Sequence, residues 1–151
     1  MAREKPKVAD SSVFFKLIRL VNLTARPFHD SVGKQHQLTL IEWRVMVVLA
    51  SHPGAAATEV VSYTGLDKMS VSRALASLLR AGRITRKPDA LDARRSHVHL
   101  STKGRALFES ISETAVVREA QLFAGISATD LKRFEATVEK LTATLTESSE
   151  A

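Results

Sequence analysis

The sequence predicts a mainly helical chain with one small β-hairpin. Three observations carry that prediction. Apolar residues recur at helical spacing along most of the chain, with capping residues at the starts of the runs. A single stretch, near residues 83–100, switches to apolar–polar alternation, the mark of half-buried strands. Glycine and proline punctuate the joins between these runs.

The first helical run is "SVFFKLIRLVNLTARPFHDSVGK", with apolar residues at 14, 17, 18, 21, 25, 28 and 32. Pro27 interrupts it and is expected to kink or end the helix near Arg26. The second run is "LTLIEWRVMVVLASHPG". Thr39 followed three residues later by Glu42 is a capping box, and the helix should stop near Ser51, before Pro53-Gly54. "TEVVSYTGL" is a short helix ending at Gly65, which suits a tight turn. Asp67 then caps "KMSVSRALASLLRAG". Its apolar stripe is 71, 75, 78 and 79, its other face carries Lys68, Ser70, Ser72, Arg73, Ser77 and Arg80, and Gly82 is the expected left-handed stop. Two helices joined by a short glycine turn, the second basic and serine-rich, predict a helix-turn-helix.

"RITRK" and "SHVHL" read as two strands around the turn-rich loop "PDALDAR". A hairpin directly after a recognition helix is a wing, so Arg94 and Arg95 belong at a wing tip. Asp92 is placed to hold the Arg94 guanidinium by a charge-assisted hydrogen bond. Ser101 caps a further helix from about Thr102 to Phe123, with apolar positions 107, 111, 115, 116, 122 and 123. After "GISATD", capped by Ser127 or Thr129, Leu131, Phe134, Val138, Leu141 and Leu145 form an a/d seam suited to pairing with another helix. The tail "TESSEA" is expected to fray. The full fold expectation is thus mainly α with a small β-hairpin wing, a winged helix-turn-helix lobe flanked by N- and C-terminal dimerisation helices. The lobe spans about 38–101, the flanking helices about 12–34 and 102–147, together one domain over 12–147.

Composition narrows the function. Of 151 residues, 44% are apolar, enough for a core. No cysteine is present, which excludes thiol redox sensing, disulfides and cysteine-ligated zinc. No apolar run approaches the ~20 residues of a membrane span. "MAREKPKVAD" is charged without an apolar core, unlike a secretory signal, so a soluble, cytoplasmic protein is expected. The formal charge is +6. From Asp67 to Arg105 ten Lys/Arg face three Asp, a net +7, so this short window holds all of the excess. Such concentration favours a phosphate-binding face over an evenly solvated surface.

The residues "LDKMSVSRALASLLRAGRITR", "DARR" and "VHLSTKG" resemble the MarR family of bacterial winged helix-turn-helix regulators. The D-x-R-R pair followed by L-[ST]-x-x-G carries the resemblance, and the order of elements fits over about 12–147. The resemblance implies a homodimer with interlocking terminal helices, reading a palindromic operator. It also implies a repressor released by a small phenolic or anionic ligand, held among the first, second and fifth helices. Trp43 is then a pocket candidate as well as a core candidate, and Arg19 and His29 could contact an anion or phenol there or serve only the surface. Three departures stand out. Pro27 lies within the usual first helix, Ala56 replaces the polar cap before the third helix, and the missing cysteines remove the peroxide-sensing branch.

The geometry of a winged helix-turn-helix assigns roles. Lys68, Ser70, Ser72, Arg73 and Ser77 lie where base edges and phosphates are reached, with Arg73 suited to bidentate guanine contact. Arg94 and Arg95, steadied by Asp92, would enter the minor groove. Lys103 and Arg105 sit at a helix start, where phosphates dock. The pair His97 and His99 shares a strand face, which permits a metal pair. With no carboxylate or cysteine noted beside them, solvated histidines are expected, and neither metal nor cofactor is assigned. No G-x-S-x-G elbow, H-E-x-x-H pair or glycine-rich phosphate loop points to an enzyme. The expected partners are double-stranded DNA, a second copy and a small effector, with no membrane. The alternative is a winged-helix module used for protein contacts without ligand response, which needs no basic wing.

Overall fold

The computed structural model describes residues 8–149. Residues 1–7, which include most of "MAREKPKVAD", and the last two residues of "TESSEA" lie outside the described residues. The described residues divide into two compact units, one up to residue 109 and the other from residue 110.

The first unit opens with α1, Val13–Phe28, capped by the Ser12 hydroxyl accepting from the Phe15 amide at 3.2 Å. Pro27 does not end this helix. The chain runs on through a π-helical segment, His29–Gly33, into a short α2, Lys34–His36. The proline lacks an N–H and its ring crowds the carbonyl one turn back. The wider π turn absorbs that misfit, as the His29 amide is shared between the Ala25 and Arg26 carbonyls. Gln37, at φ +48°, makes the left-handed stop.

The three helices of the winged lobe follow. In α3, Leu40–Ser51, the Thr39 hydroxyl accepts from the Glu42 amide at 3.1 Å, and Glu42 Oε2 accepts from the Thr39 amide at 2.8 Å. That is the expected capping box, and it satisfies the buried Glu42 carboxylate. In α4, Ala57–Thr64, only half of such a box exists. Ala56 has no side-chain acceptor, but Glu59 still reaches the Ala56 amide at 2.7 Å. Gly65, at φ +67°, turns the chain into α5, Lys68–Arg80. The lobe's core joins Val45, Met46 and Leu49 of α3, Val60 of α4, and Val71, Leu75 and Leu78 of α5.

Strands β1, Ile84–Pro88, and β2, Ser96–Leu100, pair antiparallel with Ile84 opposite Leu100 and Pro88 opposite Ser96. Val98 and Leu100 point into the core, whereas β1 contributes only Ile84, so the predicted alternation holds on β2 and fades on β1. The turn before α4 adds a third line of pairing. The Gly54 amide donates to the Val98 carbonyl at 2.9 Å, and the Val98 amide to the Ala55 carbonyl at 3.1 Å. The wing is thereby tied to the helix-turn-helix.

Helix α6, Thr102–Phe123, begins in the first unit and ends in the second. The second unit also contains α7, Ala128–Ser149. Ser127, not Thr129, caps α7, accepting from the Asp130 amide at 3.1 Å. The expected fraying does not begin at Thr146: helix continues to Ser149, where hydroxyls of Thr146, Ser148 and Ser149 bond back to carbonyls one turn earlier.

Gly104 is fixed by geometry. A Cβ there would stand 1.8 Å from the Arg83 carbonyl oxygen, part of the backbone at the wing's entrance. Gly104→Ala should therefore force the two segments apart and destabilise the fold by about 2 kcal/mol or more, in the manner of overpacked sites. Chemical denaturation of the two proteins checks this. Equal midpoints would show that α6 is not seated on Arg83.

Candidate nucleic-acid interface

The helix α5 owes its start to Asp67. One carboxylate oxygen accepts from the Ser70 amide at 2.8 Å and the other from the Ser70 hydroxyl at 2.6 Å. Those bonds from Ser70 hold the Asp67 carboxyl below its ordinary value. Val71, Ala74, Leu75 and Leu78 face the core. Leu79 does not join them, contrary to the predicted stripe. It is 43% exposed, because helical rotation gives its place to Ala74. Lys68, Ser72 and Arg73 are exposed as predicted. Ser70 and Ser77 are set lower, half-buried in a groove of about 450 Å³ that Arg73 and Arg80 share with Thr39, Ile41 and Glu42. Ser70's hydroxyl proton is committed to Asp67, so it is a cap first.

The wing loop is held by two aspartates. Asp89 Oδ1 accepts from the Leu91 and Asp92 amides at 2.8 and 3.1 Å. Asp92 Oδ1 accepts from the Arg94 backbone amide at 3.0 Å. This corrects the expected pairing of Asp92 with the Arg94 guanidinium: a short carboxylate two residues upstream closes a turn instead. The Arg95 amide also donates to the Asp92 carbonyl, and the Asp89 amide to the Arg95 carbonyl. Arg94 and Arg95 emerge from this ordered loop. With Arg86 they line a recess of about 400 Å³ against Ala56, Ala57 and Thr58 at the start of α4. That helix start has no side-chain cap, so the recess joins three guanidinium groups to the positive end of a helix.

At α6 the expected pair divides. Arg105 is exposed. The Lys103 amine instead donates to the Ala81 carbonyl at 3.0 Å, closing the C-terminus of α5. Ser101 caps α6, accepting from the Gly104 amide at 3.0 Å, while its own hydroxyl donates to the Gly82 carbonyl at 2.6 Å.

Sequence reading missed three residues. Arg86 was counted as charge only, although its place on β1 aims it at the wing recess. Asp89 sits in a Pro-Asp turn signal and anchors the loop. His97 is no free strand histidine: Nε2 lies 2.7 Å from Asp89 Oδ2 and Nδ1 2.9 Å from the Gly54 carbonyl oxygen. The carboxylate beside His97 comes from Asp89, eight residues upstream. Among the described residues no cluster of three or more His, Cys, Asp and Glu could hold a metal ion.

Trp43 is half-buried and stacks between Phe28 and Phe108, with centroids 6.4 and 5.3 Å away. Exposed His29 meets Phe28 edge-on at 6.2 Å, while Arg19, also exposed, joins none of these ring contacts.

Residues 36–95, which hold α3 to the wing tip, match the MarR family. Over that segment the chain is similar to MarR-family regulators. Among curated relatives, the regulator PetP of Rhodobacter capsulatus is 32% identical over 95 residues, 63% of this chain and 56% of PetP. The chain therefore spans little more than half of that relative. Solved MarR-type structures share the fold over nearly the whole chain. A MarR/EmrR family transcriptional regulator from Acinetobacter superimposes with a TM-score of 0.84 at 23% identity, covering 93% of this chain and 99% of its own. BpsR of Bordetella bronchiseptica, whose DNA binding is regulated by 6-hydroxynicotinic acid, does so at 0.79 and 21%, covering 91% and 97%. The winged helix-turn-helix expected from the sequence is the fold observed.

Asp67→Ala removes the cap of α5. Since the native carboxyl is held low, its contribution to stability is present above the unfolded value near 3.8 and is lost as pH falls through the native value. Melting curves should show the variant less stable than the parent at neutral pH, with the gap closing in acid. A gap that persists in acid would show that Asp67 does not act through its charge.

Proposed function

We propose that this chain is a cytoplasmic, sequence-specific DNA-binding transcriptional regulator of the MarR family. In this reading it is a homodimeric repressor of a pseudo-palindromic operator, released by a small aromatic or anionic ligand. One observation carries the DNA reading. All three carboxylates of the +7 window are spent on local hydrogen bonds: Asp67 on Ser70, Asp89 on the loop amides and His97, Asp92 on Arg94's amide. Among the described residues no ion pair engages Lys68, Arg73, Arg86, Arg94, Arg95 or Arg105. The cations of α5 and the wing therefore face outward unneutralised, as a polyanion requires.

Roles follow from position. Lys68, Ser72 and Arg73 read the major groove, with Ser70 and Ser77 on its near wall. Arg94 and Arg95 enter the minor groove, and Arg86 and Arg105 hold phosphates. Asp92 and Lys103 shape the loop and the end of α5. The dimer reading is supported by uncovered apolar side chains at both ends of the chain. Phe14, Ile18 and Val21 of α1 are 74, 44 and 51% exposed, and Phe134, Val138, Leu141 and Leu145 of α7 are 42–70% exposed. The flanking helices, about 12–34 and 102–147, are the dimerisation elements, each with an apolar stripe that a single chain leaves wet. The ligand reading rests on the MarR family and on BpsR's response to 6-hydroxynicotinic acid. The Phe28–Trp43–Phe108 stack, with His29 beside it, offers the aromatic surface. A winged module for protein contacts would gain nothing from so uncompensated a basic face.

A binding titration on a selected operator tests this reading. Affinity should fall about 10³–10⁵-fold between 50 and 200 mM salt if six to ten phosphates are contacted. Arg94→Ala should cost about 1–3 kcal/mol per half-site without lowering the melting temperature, Asp92→Ala should reproduce part of the loss, and Arg133→Ala, on α7, should change little. An aromatic acid that quenches Trp43 fluorescence should also weaken the complex. A salt-insensitive complex, or an Arg94→Ala protein that binds like its parent, would refute the wing's role.

Light scattering at micromolar concentration should give twice the mass of one chain. Leu141→Asp should shift the mass toward the monomer, because an unpaired charge in an apolar seam is costly. A monomeric parent protein would overturn the dimer.

A further inference from the structure

Between the wing and the helix-turn-helix, His97 is held on both sides by acceptors. Nδ1 lies 2.9 Å from the carbonyl oxygen of Gly54, in the turn before α4. Nε2 lies 2.7 Å from Asp89 Oδ2, in the wing loop. A carbonyl oxygen can only accept, and so can an ionised carboxylate. A neutral imidazole has one N–H and one lone pair, so it can satisfy only one of these neighbours and must set a lone pair against the other. Both distances are hydrogen-bond distances, and only an imidazolium, with a proton on each ring nitrogen, donates to both acceptors.

We propose, building on the DNA-binding reading above, that His97 is a positioning residue for the wing arginines. Its second proton clamps the wing loop to the helix-turn-helix, and the grip on DNA tightens when that proton is bound.

The route from His97 to DNA is short. Asp89 Oδ2 meets His97, while Asp89 Oδ1 holds the amides of Leu91 and Asp92. Asp92 holds the amide of Arg94, and the Asp89 amide holds the Arg95 carbonyl. The backbone bonds that order the loop before Arg94 and Arg95 thus pass through Asp89 or Asp92. Losing the proton from His97 breaks one of its two bonds. Either the Asp89 carboxylate is freed to turn away, or the hairpin loosens from the Gly54 turn.

The surrounding charges set the direction. The Gly54 carbonyl and the Asp89 carboxylate both raise the basicity of His97, partial burial and Arg95 oppose it, and the net effect is upward from 6.5. Asp89 is held low, first by the Leu91 amide and then by His97, so it remains the acceptor. Lys87 is the cross-strand partner of His97. His99 lies two residues along, its ring within reach of a Cβ placed on Gly54. In the facing turn, the His52 ring is stacked on Tyr63 at 3.9 Å. The sign is therefore fixed: the clamp is complete below the folded value of His97 and is lost as pH rises through it.

The test uses the full-length protein, one operator and constant ionic strength. Wild-type affinity should weaken by about tenfold between pH 6 and pH 8.5, comparable to losing an arginine contact. The other histidines titrate in the same range, so the variants decide. His97→Gln should bind weakly at both pH values, with the slope reduced. Asp89→Asn should bind tightly at both, because the asparagine oxygen keeps the loop amides while its NH₂ donates to a neutral His97. Nitrogen-15 NMR of the free protein should show both His97 ring nitrogens protonated at pH 6, and deprotonation above the ordinary value of about 6.5. A His97→Gln protein with the wild-type slope, or a His97 ring carrying one proton at pH 6, would overturn the proposal. Absence of DNA binding by the parent protein at every pH would instead overturn the regulator reading, and this role with it.

Discussion

The fold depends on how four segments meet at the entrance to the wing. Arg83 lies at their crossing. Its amide donates to the Leu78 carbonyl and so closes α5. Its carbonyl accepts from the Ser101 amide at the start of α6, and the missing side chain of Gly104 lets that helix come against it. Its guanidinium reaches the carbonyls of His36 and Gln37, where the N-terminal helix stops. Ser101 and Lys103 add side-chain bonds to the Gly82 and Ala81 carbonyls. The C-terminal carbonyls of α2 and α5 are thus satisfied by residues at the openings of β1 and α6. An arginine at a helix C-terminus is also favoured by the helix dipole. The L-[ST]-x-x-G signature is the sequence trace of this junction: the hydroxyl residue caps, and the glycine permits the approach.

A second economy governs the charges. A window with seven excess positive charges would repel itself if its cations were packed together, yet its few acids do not serve as partners for them. Each carboxylate is turned inward to backbone amides or to His97. Such bonds stabilise turns and a helix start, where orphan amides need acceptors. The result is a basic surface on a framework ordered by acids. The loop that carries Arg94 and Arg95 is both strongly cationic and conformationally defined, which would lower the entropy lost on binding a polyanion.

Much of this was legible in the sequence because it is local. The Thr39–Glu42 capping box, the Gly65 and Gly82 stops and the strand alternation of "SHVHL" are written within a few residues, and the structure reproduces them. What escaped is non-local or depends on rotation. Leu79 reads as core by spacing, but Ala74 fills that direction. Pro27 reads as a kink or a stop; the helix does not stop there, because a π turn accommodates the proline, an outcome set by packing beyond it. Lys103 reads as a phosphate ligand at a helix start, but the end of α5 lies 22 residues back in sequence and beside it in space. His97 needed two partners, one of them 43 residues away, and no spacing rule could have supplied Gly54.

These misses share a cause that bears on function. Apart from Arg86, the basic residues that face solvent are legible from composition and position, since nothing in the fold competes for them. The residues that hold those cations in place were missed, since their partners come from the turn before α4, the wing loop and the end of α5. Specific DNA recognition requires both, because an arginine on an unfixed loop contributes charge without register. In this chain the register is supplied by backbone contacts: Gly54 and Ala55 pair with Val98, Asp89 and Asp92 fold the tip, and Ser101 with Gly104 seats the wing's exit on Arg83. The wing is therefore anchored at its root and folded at its tip, and His97 bridges the two through Gly54 and Asp89. That bridge joins the loop carrying the wing arginines to the turn before α4, above the hydrophobic core.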